Sequence, residues 1–463
     1  MKNIKYILFL SIVFTLSCSQ DQFDEIDTDP NNPTYVPVEF IIPSAQIKMV
    51  HSFYGSSSAT AISTYVEHTC NVHPEKMELN RKTGIWDVGY AILNDTKMII
   101  KQASEENAWT HVGIAQIIQA FTLGTMTDIF GDIPWTEALK SSDNRNPKYD
   151  SQESIYNELF KMLDDAIANL AKPVVKNPGK NDILLGGNQS KWIKVAWGLK
   201  ARYFNRLSNI DPSGSATDAL EAVNNSFMSS ADNFVFTNYQ NATTYSNNFS
   251  YEESTWKRFA ASITIFKVID SFNNSGFSDP RAERWFNKIN GIFIGAPNGN
   301  DDSDLGHTLF SGISTTNVLY LAAPVELLTY DELKFIEAEA HFRLGHLTEA
   351  NSAYQAAVIA ACSRTGLTAG QITSYTSQGT VFTSDADLTL DMIIKQKFLS
   401  FFIMQPIEAF NDYRRTLIPS LYNTKDGIPC RIIYPDSELG RNVNTPRDIN
   451  LVTAYTNKLW WAK

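Results

Sequence analysis

The sequence predicts a mainly α fold: a scaffold of helical hairpins that carries a loop-rich lobe and minor β. Three observations predict it. Apolar residues recur at steps of three and four through most of the chain beyond residue 40, strand-type runs are few, and two long Asn/Ser/Gly-rich stretches interrupt the helical pattern.

The clearest helix covers 151–170, where Ile155, Leu159, Met162, Leu163, Ala166, Ile167 and Leu170 make one apolar stripe. Asp150 and Glu153 stand at capping-box spacing, which predicts the start of this helix. The same periodicity predicts helices over 84–103, 107–127, 190–208, 256–272, 329–344, 348–363 and 388–404. Strands are predicted at 233–237, 291–295 and 431–434. In 331–364, Ala338, Gly345, Ala350, Tyr354 and Ala357 follow the small, small, small, aromatic, small spacing of a tetratricopeptide (TPR) unit. Small residues let two helices approach closely and the Tyr354 ring fills the gap, so the hairpins are read as a TPR-like scaffold; an ordinary helical hairpin is the alternative. Helices 107–127 and 151–170 pair as a second unit opened by an insertion. One domain is expected over 40–463, with loop-rich insertions at 209–255 and 273–327, and loops of that length inside a compact domain usually bind something.

Composition narrows the function. At 463 residues, with 43% apolar and 19% charged, the chain can bury a large core without staples. Basic residues number 39 against 50 acidic ones, a net charge of −11, and no basic block offsets it, which sets nucleic acid aside as a partner. The four cysteines, at 18, 70, 362 and 430, have neither redox nor zinc spacing.

The first seventeen residues, MKNIKYILFLSIVFTLS, combine Lys2 and Lys5, an apolar run from Ile7 to Leu16 and the small Ser17 before Cys18. That pattern is a signal peptide, too short to span a bilayer. A small residue before a lone early Cys resembles a bacterial lipobox, although Thr15 stands where Leu is usual and Leu16 lies one place late. Lipidation of Cys18 would anchor the protein, and the polar, acidic, Pro-containing segment 18–39 reads as a tether. Its acidity resembles surface-export signals of Bacteroidetes lipoproteins.

Motifs for catalysis are sparse. H-E-x-x-H, G-x-S-x-G, the P-loop and G-x-G-x-x-G are all missing from the sequence, and no residue pattern calls for a cofactor. Glu67, His68, Cys70, His73 and Glu75 cluster in sequence, but their spacing matches no known metal geometry, so a solvated helix end with a buried Cys is preferred. Asn300, Asp302 and Asp304 alternate as in a calcium loop, yet Leu305 and Ser311 occupy the positions that need Gly and Glu, which makes this a polar turn.

Binding is better represented. The segment 238–256 interleaves Tyr239, Tyr245, Phe249, Tyr251 and Trp256 with four Asn. Flat rings stack on sugar faces or peptide side chains and amides bond hydroxyls, so Tyr239, Tyr245 and Trp256 are candidate ligand contacts, against the plainer reading that they pin the loop to its scaffold. Trp86, Tyr90 and Asn94 stand at i, i+4 and i+8 and would share one drifting helix stripe, either core or the wall of a ligand groove.

Several phrases in order resemble the SusD/RagB family, in particular its SusD-like lipoproteins. They include DTDPNNPT at 27–34, TDIFGDIPWTEALK at 127–140, PKYDSQESIYNELFKMLDDAI at 147–167 and KWIKVAWGLKARYFNRLS at 191–208. SDPR at 278–281, TYDELKFIEAEAHFRLG at 329–345, IIKQKFLSFF at 393–402, EAFNDYRRTLIP at 408–419, IPCRIIYPDSELGRN at 428–442 and the closing LWWAK complete the series. Within these phrases Gly131 and Pro134 break a helix, and Arg414 and Arg415 offer planar donors that pin loops. The resemblance implies an outer-membrane, surface-exposed lipoprotein that binds an oligosaccharide or peptide nutrient. It implies a SusC-like TonB-dependent transporter as partner, capped by this chain as by a hinged lid, and no enzymatic turnover. A surface glycoside hydrolase or peptidase, and a TPR scaffold that binds only protein partners, are the competing readings.

Overall fold

The computed structural model describes residues 36–51, 55, 57–72, 83–140, 143–242, 245–274, 278–298, 308–423 and 427–463. Cys18, the signal segment, most of the tether, His73, Glu75, Asn300, Asp302 and Asp304 lie outside the described residues. In chain order the elements are α1 (Val38–Met49), α2 (Ser57–Tyr65), β1 (Thr69–Asn71), α3 (Thr83–Glu105), α4 (Trp109–Phe130), α5 (Gln152–Leu170), α6 (Gln189–Arg206) and α7 (Pro212–Asn224). There follow β2 (Phe234–Phe236), α8 (Asn248–Trp256), β3 (Phe259–Ala261), α9 (Ile263–Asp270), α10 (Arg281–Trp285) and β4 (Val325–Leu328). The chain closes with α11 (Tyr330–Arg343), α12 (Leu347–Arg364), α13 (Ala369–Thr376), α14 (Leu390–Ser400), α15 (Pro406–Thr416) and α16 (Asp436–Arg441).

Helices stack in succession: α1 on α3, α3 on α4, α4 on α5, α5 on α6, α6 on α7, α7 on α11 and α11 on α12. The α11/α12 hairpin has the predicted TPR chemistry. Ala338, Ala350, Tyr354 and Ala357 are all buried, Gly345 turns the chain at φ +78°, and the Tyr354 hydroxyl donates to Val381 O at 3.0 Å. The α4/α5 pair packs as tightly, because Gly113 lies against Leu170 with no room for a Cβ.

Helix α5 starts one residue later than capping-box spacing predicts. Ser151 is the cap, its hydroxyl accepting from Ser154 N at 3.2 Å. Asp150 instead turns back, accepting from the backbone N–H groups of Trp135 and Thr136 at 2.7 and 2.9 Å, so it holds the turn after α4. In that turn Gly131 takes φ +80° with the Arg431 guanidinium beside it, and the half-buried Trp135 packs back against the core.

The expected loop at 209–255 contains a whole helix, α7. Asp211 caps it by accepting from Gly214 N at 2.9 Å, Pro212 opens it, and a narrow stripe of Ala216, Ala219, Ala222 and Val223 is buried against its neighbours. A stripe of alanines carries little hydrophobic signal, which hid it among Ser and Asn. The predicted helix 256–272 is divided: Lys257 turns left-handed after α8, β3 follows, and Ser262 caps α9 by accepting from Ile265 N at 2.9 Å. The strand expected at 233–237 is β2, which pairs antiparallel with β4, while β1 pairs antiparallel with β3. At 291–295 and 431–434 no strand forms: the former makes only an isolated bridge, and the latter lies as irregular chain on the end of α4, with Ile432 N donating to Ile129 O at 3.0 Å.

A buried string of charges ties α6, α11, α14 and α15. Arg202 bonds Glu332 at 2.6 and 2.7 Å, Arg206 reaches Glu408, Lys397 pairs with Asp412 at 2.8 Å, and Arg415 closes on Glu339 and Asp412. Burial would raise the Glu339 carboxyl, but Arg415 and Arg343 hold it well below the usual carboxylate range. Arg414 lies over the Phe410 ring and donates to Asp128 O at 2.7 Å, so both arginines of the Y-R-R phrase are scaffold.

Candidate functional site

The stripe on α3 is core. Trp86 is only 3% exposed, ringed by Tyr90 and Phe130 (both 5.1 Å between centroids), Tyr434 (5.9 Å) and Tyr149 (6.4 Å). Tyr90 is half-buried and its hydroxyl donates to Pro134 O at 2.6 Å. Trp86 and Tyr90 therefore clamp the turn after α4, and this corrects their candidacy as groove-lining contacts. Asn94 is exposed, rotated away by the 40° that each four-residue step adds, with its amide 3.8 Å from Met98 Sδ. The three do not assemble.

The Glu67–Cys70 run does not converge either. The Glu67 carboxylate accepts from Tyr422 N, Asn423 N and Thr264, the His68 ring lies between Phe398 and Phe402, and Cys70 Sγ points to Pro297 O. Among the described residues no group of three His, Cys, Asp or Glu side chains is placed to hold a metal ion. Among the described residues Cys70, Cys362 and Cys430 take part in no disulfide.

The aromatic segment divides in two. Tyr239 is half-buried, edge-on to Phe236 at 4.9 Å with its hydroxyl 3.5 Å from His51 Nδ1, and so pins its loop. Tyr245 and Trp256 stand out into solvent, 64% and 56% exposed. Between them runs α8, about 13 Å long at 1.5 Å per residue. Asn247 caps it, accepting from Phe249 N at 3.0 Å, while Asn247 N donates to Leu321 O at 2.8 Å. That bond ties the Tyr245 end of the segment to a second aromatic turn, where Ala323 N donates to Tyr320 O at 2.7 Å and the Tyr320 ring is 39% exposed.

Tyr320 forms one wall of an open cleft of about 270 Å³. Its apolar floor is Trp285, Phe402 and Met404, and Thr316 and Asn317 bring a hydroxyl and an amide to the rim. Glu326 and Arg364 form the base, where Arg364 also donates to Asp331 at 2.7 and 3.0 Å and to Ser400 O at 2.8 Å. Burial pushes the Glu326 carboxyl up while Arg364 pulls it back. Among the described residues Glu326 is the single carboxylate of the lining, and it is locked in an ion pair, whereas glycoside hydrolysis uses two that flank the bond. What the cleft offers is stacking area, an amide, a hydroxyl and, opposite Gly366, the Arg284 guanidinium. Sequence reasoning missed Arg284, Thr316, Asn317 and Tyr320. The run STTNVLY at 314–320 has the same hydroxyl, amide and ring composition as 238–256 and was the available signal.

No helix among the described residues is long and apolar enough to cross a membrane. No curated protein matches the chain in sequence. In solved structures, a SusD/RagB family protein of Bacteroides thetaiotaomicron is 25% identical with a TM-score of 0.75, covering 92% of this chain and 99% of its own. A SusD homolog from Parabacteroides distasonis (20% identity, TM-score 0.79, 92% and 98% covered) shares the fold. So does a chitin-binding SusD homolog from Flavobacterium johnsoniae (21%, 0.74, 91% and 98%). The SusD-like family model described as "Starch-binding associating with outer membrane" matches residues 30–435, and with that span matched the chain belongs to the SusD/RagB family.

Proposed function

We propose that this protein is a binding lipoprotein of the outer-membrane surface that captures an oligosaccharide or peptide nutrient and hands it to a SusC-like TonB-dependent transporter. The observation that carries the binding reading is the cleft: an exposed Tyr320 ring beside the Asn317 amide, over an apolar floor, with its one carboxylate already paired. Tyr245 and Trp256 act as further contacts where a chain of several units extends beyond the cleft, the Asn247–Leu321 bond tying the Tyr245 end of their helix to the Tyr320 turn. A chitin-binding relative and the starch-binding description of the family favour glycan as cargo. Cys18 carries the lipid that keeps this body at the membrane.

Calorimetric titration with a panel of oligosaccharides and peptides tests it. Binding without product release is expected, and Tyr320→Ala should weaken it roughly fivefold or more, since a stacked ring contributes about 1 kcal/mol. Absence of binding by every ligand, or unchanged affinity in Tyr320→Ala and Trp256→Ala together, removes the proposal. Products that appear on incubation and vanish on mutation of one carboxylate would make it an enzyme instead. For the anchor, labelled fatty acid should enter the wild type and not Cys18→Ser, and a β-barrel transporter should copurify.

A further inference from the structure

We infer that the cleft selects a sugar unit bearing a carboxylate, a hexuronate within an acidic oligosaccharide, and that Arg284 is the residue that recognises it. The inference rests on the binding reading above and deepens it.

Five buried arginines close on carboxylates, Arg202 on Glu332, Arg206 on Glu408, Arg281 on Asp279, Arg364 on Asp331 and Arg415 on Glu339, while buried Arg414 and Arg431 spend Nη atoms on the Asp128 and Cys430 carbonyls and on the Tyr434 hydroxyl. Arg284 is different. It is half-buried on α10, three residues after Arg281, yet among the described residues it has no carboxylate partner. Its Nε donates to Thr365 O at 3.3 Å, and that bond orients the group while the two Nη atoms find no acceptor there. The neighbouring Gly366 stands at φ +80°, where a Cβ would come within 3.0 Å of Nη2, so the chain makes room for the guanidinium at the cleft wall. In a chain with 50 acidic and 39 basic residues, a guanidinium held half out of water without a counter-ion is a site awaiting an anion.

The rest of the lining says what kind of anion. Tyr320 and the floor of Trp285, Phe402 and Met404 suit the flat faces of a ring, and Thr316 and Asn317 suit its hydroxyls. A cleft of about 270 Å³ is the size of one such unit, not of a whole chain. Glu326 does not repel the carboxylate, since Arg364 neutralises it at the base. A uronate ring laid on Tyr320 with its carboxylate on the Arg284 fork satisfies every group that the cleft leaves open.

The test uses the full chain purified in detergent and titrated with uronate oligosaccharides, their neutral methyl esters and neutral oligosaccharides. The expected result is a preference of roughly tenfold or more for acid over ester, which fades as salt is raised. Arg284→Gln should abolish that preference, its loss falling far more on the acid than on the ester, and Arg284→Lys should restore part of it by charge without the fork. Matched thermal midpoints for the variants exclude a folding defect. Equal binding of acid and ester, or a preference that survives in Arg284→Gln, overturns the inference. Binding of neutral oligosaccharides or of peptides alone also overturns it and leaves the nutrient-binding reading standing, whereas silence from every ligand removes both.

Discussion

His68 should subtract stability from this protein in mild acid, over a window in which buried Glu253, its carboxyl pushed up to about 8 by burial, acts with the opposite sign. Its ring is fully buried between Phe398 and Phe402, with Nε2 3.1 Å from Phe398 O and Nδ1 3.5 Å from Ile403 N. The neutral tautomer with hydrogen on Nε2 satisfies both contacts: Nε2–H donates to the carbonyl and Nδ1 accepts from the amide. A second proton on Nδ1 would face the Ile403 N–H and place a charge in a dry site. Burial accordingly pushes the imidazole from 6.5 down to about 3, opposed only weakly by the Phe398 carbonyl. Because the folded value is depressed, the unfolded chain binds the extra proton between pH 6.5 and 3, and stability falls as pH drops through that window. At about 1.4 kcal/mol per pH step, the loss at pH 5 relative to pH 7.5 is about 2 kcal/mol, a factor of roughly thirty in the unfolding equilibrium. Glu253 holds its proton in the folded state over the same range and so adds stability as pH falls, which leaves the difference between wild type and a His68 variant, not the wild-type curve alone, as the measure of His68. Urea unfolding of wild type and His68→Gln at both pH values isolates the effect, since glutamine still donates to Phe398 O but does not titrate. The variant starts less stable and should show a pH-dependent drop smaller by about 2 kcal/mol. Equal drops in both proteins, or an NMR signature of a charged His68 ring at pH 5, would refute the argument.

Four further outcomes follow from packing and capping. A methyl at Gly124 would lie 2.3 Å from the Tyr203 hydroxyl oxygen and 2.6 Å from its ring, so Gly124→Ala should destabilise by about 1–3 kcal/mol despite better helix propensity. Gly370 in α13 has open space around it, and Gly370→Ala should instead raise the denaturation midpoint, by about 0.5–1 kcal/mol in stability. Ser151→Ala removes the cap of α5 and should lower stability by about 1 kcal/mol in the same urea assay, while Glu153→Ala does little. Trp86→Ala should cost about 3–5 kcal/mol of stability; a folded, equally stable variant with lost ligand binding would instead return Trp86 to the site.

The sequence by itself determined the helical body. Periodicities of three and four are local properties of the chain, so the stripe of α5, the α11/α12 hairpin with Tyr354 in its gap, and the scarcity of strands were legible one segment at a time. The ordered phrases from DTDPNNPT to LWWAK likewise carried the family without any coordinates. Only the tertiary structure decided which rings face water. Trp86 and Trp256 are the same residue type, each followed by a charged residue, yet one is sealed by Phe130, Tyr149 and Tyr434 while the other ends a short helix in solvent. The cleft was hidden for the same reason. Its walls come from residues 284–285, 316–326, 364–366 and 400–404, and the absence of a carboxylate beside Arg284 among the described residues is a fact about its neighbours in space, which no spacing along the chain encodes.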